Sequence, residues 1–116
     1  KDHVAPWQSV YKINLLANSR EVTFLLTSGG HNAGIISEPG HPERSYQMAT
    51  RTGEQRYVDP LTWQQVTPRH RGSWWPAWQA WLAENSGGRC QPPQLGAPEA
   101  GYWAMEDAPG TYVFQG

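Results

Sequence analysis

Cysteine is nearly absent from the 116 residues; Cys90 is the only one. A single thiol excludes an internal disulfide framework and a cysteine-based zinc site, and it is compatible with a reducing compartment. Aliphatic residues are also scarce. Val, Ile, Leu and Phe together number eighteen, and eleven of them lie in residues 1–36. The remaining eighty residues have little with which to build an aliphatic core. No window approaches 18 consecutive apolar residues, so no membrane-spanning helix is expected. No apolar h-region follows Lys1-Asp2-His3, so no signal peptide is in view. Charge of one sign is lacking too: nine basic against ten acidic residues give a formal net charge of −1. That balance carries no electrostatic footprint for nucleic acid, and Arg69-His70-Arg71 is too short to supply one.

Aromatic residues are plentiful, with seven Trp and five Tyr. With near-zero net charge they argue against a disordered chain. Thin aliphatic content then points to a small aromatic-based domain or to a piece of a larger fold.

Residues 1–36 read as a compact helix-then-strand unit. Pro6 suits the first turn of a helix. Trp7, Val10, Tyr11 and Leu15 recur at helical spacing, Ile13 and Leu16 widen the apolar side, and Asn18-Ser19 is a stop. The run Val22-Thr23-Phe24-Leu25-Leu26-Thr27 is apolar almost throughout, which predicts a strand buried on both faces, as in a parallel sheet. No second strand of equal quality is present. Residues 37–60 read as polar loop, broken by Pro39-Gly40 and His41-Pro42. A short helix is expected after Asp59-Pro60. A second is expected over Ser73–Ala83, with Pro76 in its first turn and Gly87-Gly88 past its end. Residues 89–101 should be extended, and 102–114 a short hairpin or ordered tail.

Asp2 and His31 are the pair of most chemical interest. Asp2 precedes the first helix, and His31 follows the strand on a glycine turn, where sites form in open α/β sheets. Acid then histidine is the order of the last two triad members in α/β-hydrolases. In such a pair the carboxylate fixes the imidazole's tautomer and the imidazole moves the nucleophile's proton. From spacing alone, a lone Asp and His at loop positions are more often surface groups or caps. Cys90, within Gly88-Arg89-Cys90-Gln91-Pro92-Pro93, lacks the strand–turn–helix setting of a nucleophile elbow and follows the acid and histidine rather than preceding them. The spacing of His3, His31, His41 and His70 fits no standard metal pattern, so no metal site is expected. Trp74, Trp75, Trp78, Trp81 and Leu82 fall at helical spacing and read as a packing stripe; the functional alternative is an aromatic face gripping polymer or sugar.

Three motifs in order, Asp2-His3-Val4-Ala5-Pro6-Trp7, Ser28-Gly29-Gly30-His31-Asn32-Ala33-Gly34 and Gly72-Ser73-Trp74-Trp75-Pro76-Ala77-Trp78, together with the closing Ala108-Pro109-Gly110-Thr111-Tyr112-Val113, resemble the C-terminal part of polyhydroxyalkanoate synthases, or poly(3-hydroxybutyrate) polymerases. The resemblance covers essentially the whole chain. It implies an α/β class, a C-terminal fragment of an α/β-hydrolase-like fold: one buried strand flanked by helices, then a Trp-rich helix and an irregular tail. Within one catalytic domain, 1–36 would hold the acid and base loops, helix and strand, 37–72 a loop-rich segment, and 73–116 the Trp-rich helix and tail.

By the same resemblance, Asp2 and His31 are the acid and base of a Cys-His-Asp triad whose Cys, in a G-x-C-x-G elbow, lies upstream. The family is an acyltransferase that joins 3-hydroxyacyl groups from coenzyme A thioesters into polyester and releases CoA. The thioester is the substrate, and no cofactor is implied. His3, Asn32 and Ala33 flank the pair and are the candidate substrate-binding residues. Implied partners are 3-hydroxyacyl-CoA, the growing polyester, the N-terminal half of the domain, and a second copy in a homo-oligomer. The implied location is cytoplasmic, at the polyester granule surface, and the 116 residues alone should be inactive. Two other readings are a thioesterase or depolymerase of the same fold and a non-enzymatic aromatic module that binds polyester granules. The chain departs from the family pattern S-G-H-I-A-G at Gly29-Gly30-His31-Asn32, and has Ser37-Glu38-Pro39-Gly40 where Asn-Pro-Pro is common.

Overall fold

The computed structural model describes residues 2–116 and divides the chain into two compact units, Lys1–Ser86 and Gly87–Gly116. The first unit runs α1 (Trp7–Tyr11), α2 (Ile13–Leu16), β1 (Glu21–Thr27), β2 (Ser45–Thr52), α3 (Pro60–Val66), β3 (Arg69–Arg71) and α4 (Trp75–Glu84). It is a small α/β piece with a three-stranded sheet in the order β1-β2-β3.

The first helix is not continuous, as its periodicity predicts, but two single turns meeting at Lys12. Asn14 accounts for the break. Its side-chain amide donates to the carbonyl of Tyr11 at 3.0 Å. Leu15 N–H, which would reach that carbonyl in a continuous helix, donates instead to Lys12 at 2.8 Å. An Asn side chain competing for a backbone partner is a known helix breaker.

The sheet corrects the expectation of one strand in a parallel setting. β1 pairs antiparallel with β2, Glu21 opposite Thr52 and Thr27 opposite Tyr46, and β2 pairs antiparallel with β3. Nor is β1 buried on both faces; Phe24 is its one buried residue. The stretch that reads as polar loop contains β2, because the strand's inward side carries Gln47, Ala49 and Arg51 rather than hydrophobes. Gln47 is nonetheless buried. Its amide donates to the carbonyls of Gln64 at 2.8 Å and Thr67 at 2.7 Å, which ties the end of α3 to the sheet. On the opposite face Thr23 and Thr50 pair hydroxyl to hydroxyl at 2.8 Å.

The core is aromatic. Tyr11 of α1, Phe24 of β1 and Trp63 of α3 are its buried members, with Trp7, Leu26 and Ala49 packed against them. Ring centroids lie 5.0 Å apart for Tyr11–Phe24 and 5.3 Å for Phe24–Trp63, both edge to face, which aligns positive ring edges with negative faces. The Tyr11 hydroxyl donates to the Val58 carbonyl at 2.8 Å, and burial raises the phenol's pKa. Asp59 starts α3 by accepting from the Leu61 and Thr62 amides, bonds that hold its carboxyl below the usual range.

Helix α4 spans nearly the expected residues, but none of its side chains is buried. The Trp stripe is therefore not core in this chain. The unit Gly87–Gly116 holds two single-turn 3-10 helices, Pro98–Ala100 and Tyr112–Phe114, and an isolated antiparallel bridge between Ala97 and Tyr102. It forms no hairpin over 102–114.

Phe24→Ala should lower the unfolding free energy of this chain by about 3–5 kcal/mol, the usual cost of deleting a buried aromatic ring. Urea denaturation followed by Trp fluorescence measures it. An unchanged midpoint would place the core elsewhere.

Candidate functional site

The site forms where the chain enters α1 and leaves β1. Asp2 lies in the bend before α1. Its Oδ1 accepts from the backbone amides of Val4 at 2.8 Å and Ala5 at 3.0 Å. Its Oδ2 lies 2.8 Å from Nδ1 of His31. One carboxylate thus closes its own turn and holds a side chain 29 residues away. An ionised carboxylate only accepts, so the hydrogen-bonded imidazole carries its proton on Nδ1. Nε2 then remains for a second partner, and the His31 side chain is 47% exposed. The Asp2 carboxyl is lowered to about 2, first by the Ala5 amide, next by the His31 imidazole, then by the Val4 amide.

His31 stands on a turn that leaves β1 through Gly29, whose φ of +115° lies where side-chain-bearing residues are strained. The turn closes with Gly34 N–H on the Gly30 carbonyl at 3.0 Å, and with the Ile35 and Ile36 amides on the Asn32 carbonyl at 3.0 and 3.1 Å. Gly34 packs so near β1 that a Cβ there would stand 2.5 Å from the Thr27 hydroxyl. Ser28 and Ser45 lock the base of the connection: Ser28 N–H donates to the Ser45 carbonyl at 2.8 Å, and Ser45 N–H to the Ser28 hydroxyl at 2.9 Å.

Two groups of residues that sequence reading did not single out as functional hold this turn. Arg44 lies behind Gly29, where a Cβ would meet its Nη1 at 3.0 Å. Its Nη2 donates to Nε2 of His41 at 3.3 Å, and His41 Nδ1 donates to the Pro42 carbonyl at 2.9 Å. The second group starts α4. The Trp74 indole N–H donates to the Gly34 carbonyl and that of Trp75 to the Ile35 carbonyl, each at 2.9 Å. The Ser73 hydroxyl donates to the Ser37 carbonyl and accepts from Trp75 N–H at 3.1 Å. The signal for these residues was the Gly72-Ser73-Trp74-Trp75 motif itself, whose indoles read as packing surface.

Of the five residues proposed from sequence, the structure brings Asp2 and His31 into direct contact. His3 is exposed in the bend beside Asp2. Asn32 and Ala33 are exposed on the His31 turn, where Asn32 contributes its backbone carbonyl. Cys90 is exposed within Gly87–Gly116. Among the described residues no group of three or more His, Cys, Asp or Glu could hold a metal ion, and no helix is long and apolar enough to cross a membrane.

The causes of the Asp2 shift fix its pH behaviour. Its pKa falls from 3.8 to about 2 on folding, so its stabilising contribution is fully present above 3.8 and is lost as pH falls through about 2. A carbon-13 NMR titration of this carboxyl should show a midpoint near 2. In His31→Ala the midpoint should rise but stay below 3.8, because the Ala5 and Val4 amides remain. A midpoint unmoved by that substitution would rule out the bond to the imidazole.

No family model matches the chain. Several curated proteins do, nearly end to end. Poly(3-hydroxyalkanoate) polymerase 1 of Ectopseudomonas oleovorans is 38% identical over 115 residues, covering 98% of this chain and 19% of its own length. Poly(3-hydroxyalkanoate) polymerase subunit PhaC of Cupriavidus necator is 40% identical over 115 residues, covering 97% and 18%. The corresponding protein of Rhizobium etli is 35% identical over 115 residues, covering 99% and 17%. The chain therefore spans about a fifth of the length of the curated relatives it matches, and nearly all of it is similar to part of these poly(3-hydroxyalkanoate) polymerases.

Proposed function

We propose that this chain is the C-terminal portion of an α/β-hydrolase-like catalytic domain in a polyester synthase. It supplies Asp2 and His31 to a triad whose nucleophilic cysteine lies upstream. The observation that carries the reading is the 2.8 Å bond from His31 to Asp2 at the end of β1, which orients the imidazole and leaves Nε2 for a thiol. The similarity to poly(3-hydroxyalkanoate) polymerases supports the substrate class.

The reaction follows from those roles. His31 Nε2 takes the proton of the cysteine thiol. The thiolate attacks the carbonyl of a 3-hydroxyacyl-CoA thioester, and the C–S bond to CoA breaks. CoA leaves as a thiol with the proton returned by His31, and the acyl group is held as a new thioester. The 3-hydroxyl of a second hydroxyacyl unit then attacks that thioester, its proton passing to His31; an ester bond forms as the C–S bond to the cysteine breaks, and the departing thiolate takes the proton back from His31. Asp2 keeps the proton on Nδ1 throughout and stabilises the imidazolium. His3, Asn32 and Ala33, exposed beside the pair, line the approach of the acyl chain.

The sheet supports the same placement. β1 pairs only with β2 among the described residues, so its other edge is open and apolar. An edge strand of this composition is a template for another strand. In this reading the upstream half of the domain supplies it. A second copy of the chain is the other source of a strand, and the parent protein acts as a homo-oligomer at the surface of its polymer granule.

The 116 residues alone should release no CoA from 3-hydroxybutyryl-CoA. In the longer protein that carries this segment, Asp2→Asn and His31→Gln should each lower polymerisation by orders of magnitude, on the order of 10⁴-fold where the wrong tautomer results. Thiol release and polymer yield measure this; free hydroxy acid in place of polymer would assign a hydrolase. Turnover by the isolated chain that Cys90→Ser abolishes would overturn the upstream nucleophile.

A further inference from the structure

The start of α4 is placed oddly for a packing helix. Trp74 and Trp75 are only partly covered, yet both indole N–H groups are spent on the backbone of one turn. That turn is the one carrying His31. We propose that Ser73, Trp74 and Trp75 form a positioning clamp for His31. It acts through the carbonyls of Gly34, Ile35 and Ser37 on the transfer step of the reaction proposed above, and so rests on that reading of His31.

The turn needs such a clamp. It is a single helical turn, closed by the Gly34, Ile35 and Ile36 amides. One turn fixes many backbone angles for few hydrogen bonds and is marginal by itself. It contains three glycines, Gly29, Gly30 and Gly34, which add backbone freedom. The carbonyls that follow the closing bonds have no partner within the turn, as at any helix end. The clamp satisfies three of them from one short segment, at Gly34, Ile35 and Ser37. The clamp is itself braced, because Ser73 both donates to Ser37 and receives Trp75 N–H. Directly before it, Gly72 N–H donates to the Arg44 carbonyl at 2.7 Å, fixing the clamp to the strand connection that carries the turn.

The consequence concerns catalysis rather than folding. Among the described residues no hydrogen bond joins the clamp to the imidazole, whose side-chain partner is Asp2. A catalytic constellation tolerates about 0.5 Å of displacement, and a misplacement of 1 Å costs about 100-fold in rate. The clamp sets where the ring stands when Asp2 receives it. Trp78 provides the contrast. Its ring lies 5.5 Å from that of Trp74, but no hydrogen bond of its indole is formed among the described residues.

The experiment removes the N–H and keeps a ring, with Trp74→Phe, Trp75→Phe and the double variant, and with Trp78→Phe as the control. In the longer protein that carries this segment, the double variant should lower kcat about 100-fold with KM changed less than about twofold, and each single variant should fall between. Imidazole nitrogen NMR of the 116-residue chain should show His31 losing its single Nδ1–H tautomer in the double variant and keeping it in Trp78→Phe. Unchanged kcat together with an unchanged tautomer overturns the clamp. So does a rate loss in Trp78→Phe equal to that in the clamp variants, or a loss that tracks a falling urea midpoint, since either assigns these residues to general stability. A tautomer lost with turnover intact leaves the clamp standing and overturns His31 as the base. The two failures are thereby separate.

Discussion

Three rings hold Asp2 and His31 in register. Tyr11 on α1, Phe24 on β1 and Trp63 on α3 meet edge to face, and they are the only buried hydrophobic side chains among the described residues. Asp2 lies just before the helix that carries Tyr11, and His31 just after the strand that carries Phe24. The ring contact therefore fixes the distance between the entry of α1 and the exit of β1. A hydrogen bond of 2.8 Å across 29 residues is possible because that distance is already set. Its net worth is small next to the ring burial beneath it. The aromatic cluster is the cause, and the Asp2–His31 bond is what it makes available.

Much of the fold was legible where hydrophobicity and turn chemistry agree. β1 is an unbroken β-rich run, α3 has Asp59 and Pro60 at its start, and α4 has Pro76 in its first turn and glycines beyond its end. The failures have identifiable causes. β2 stayed hidden because its inward residues are Gln47, Ala49 and Arg51, which give no alternation of apolar and polar. Gln47 is buried by satisfying its amide on two carbonyls, and such satisfaction is a tertiary property that no local window reveals. The break at Lys12 depends on which carbonyl Asn14 reaches. The parallel reading of β1 rested on apolar residues on both faces, yet Leu25, on the face away from the rings, stands opposite Met48 and is only half buried.

The site was legible to a different depth. Asp2 and His31 were found through the order of their motifs and the glycine turn, and spacing alone left them indistinguishable from caps. Asp2 is in fact also a cap, since its Oδ1 closes the bend onto Val4 and Ala5. The two readings are compatible because a carboxylate has two oxygens. Arg44 and the Ser73-Trp74-Trp75 segment were not legible as parts of the site. A Trp at helical spacing reads as apolar area, whereas here the polar end of the indole carries the contact. Trp has this double character, a large apolar body with one donor, and a pattern search weighs only the body.

The scarcity of aliphatic residues acquires a consistent physical meaning from these contacts. With three buried rings as its centre, the first unit leaves Val10, Leu15 and Leu16 exposed on α1 and α2, and leaves one edge of β1 unpaired among the described residues. Apolar side chains and an open, apolar edge lie on the same stretch of chain, residues 10–27. Surfaces of that kind are ordinarily covered. The relatives extend over about five times the length of this chain, which is enough to supply both a neighbouring strand and a covering layer. The aromatic cluster and the indole clamp then have a common purpose. They fix Asp2, His31 and the turn from within this segment, so that, in the function proposed, their geometry depends little on how an upstream part of the domain closes over it.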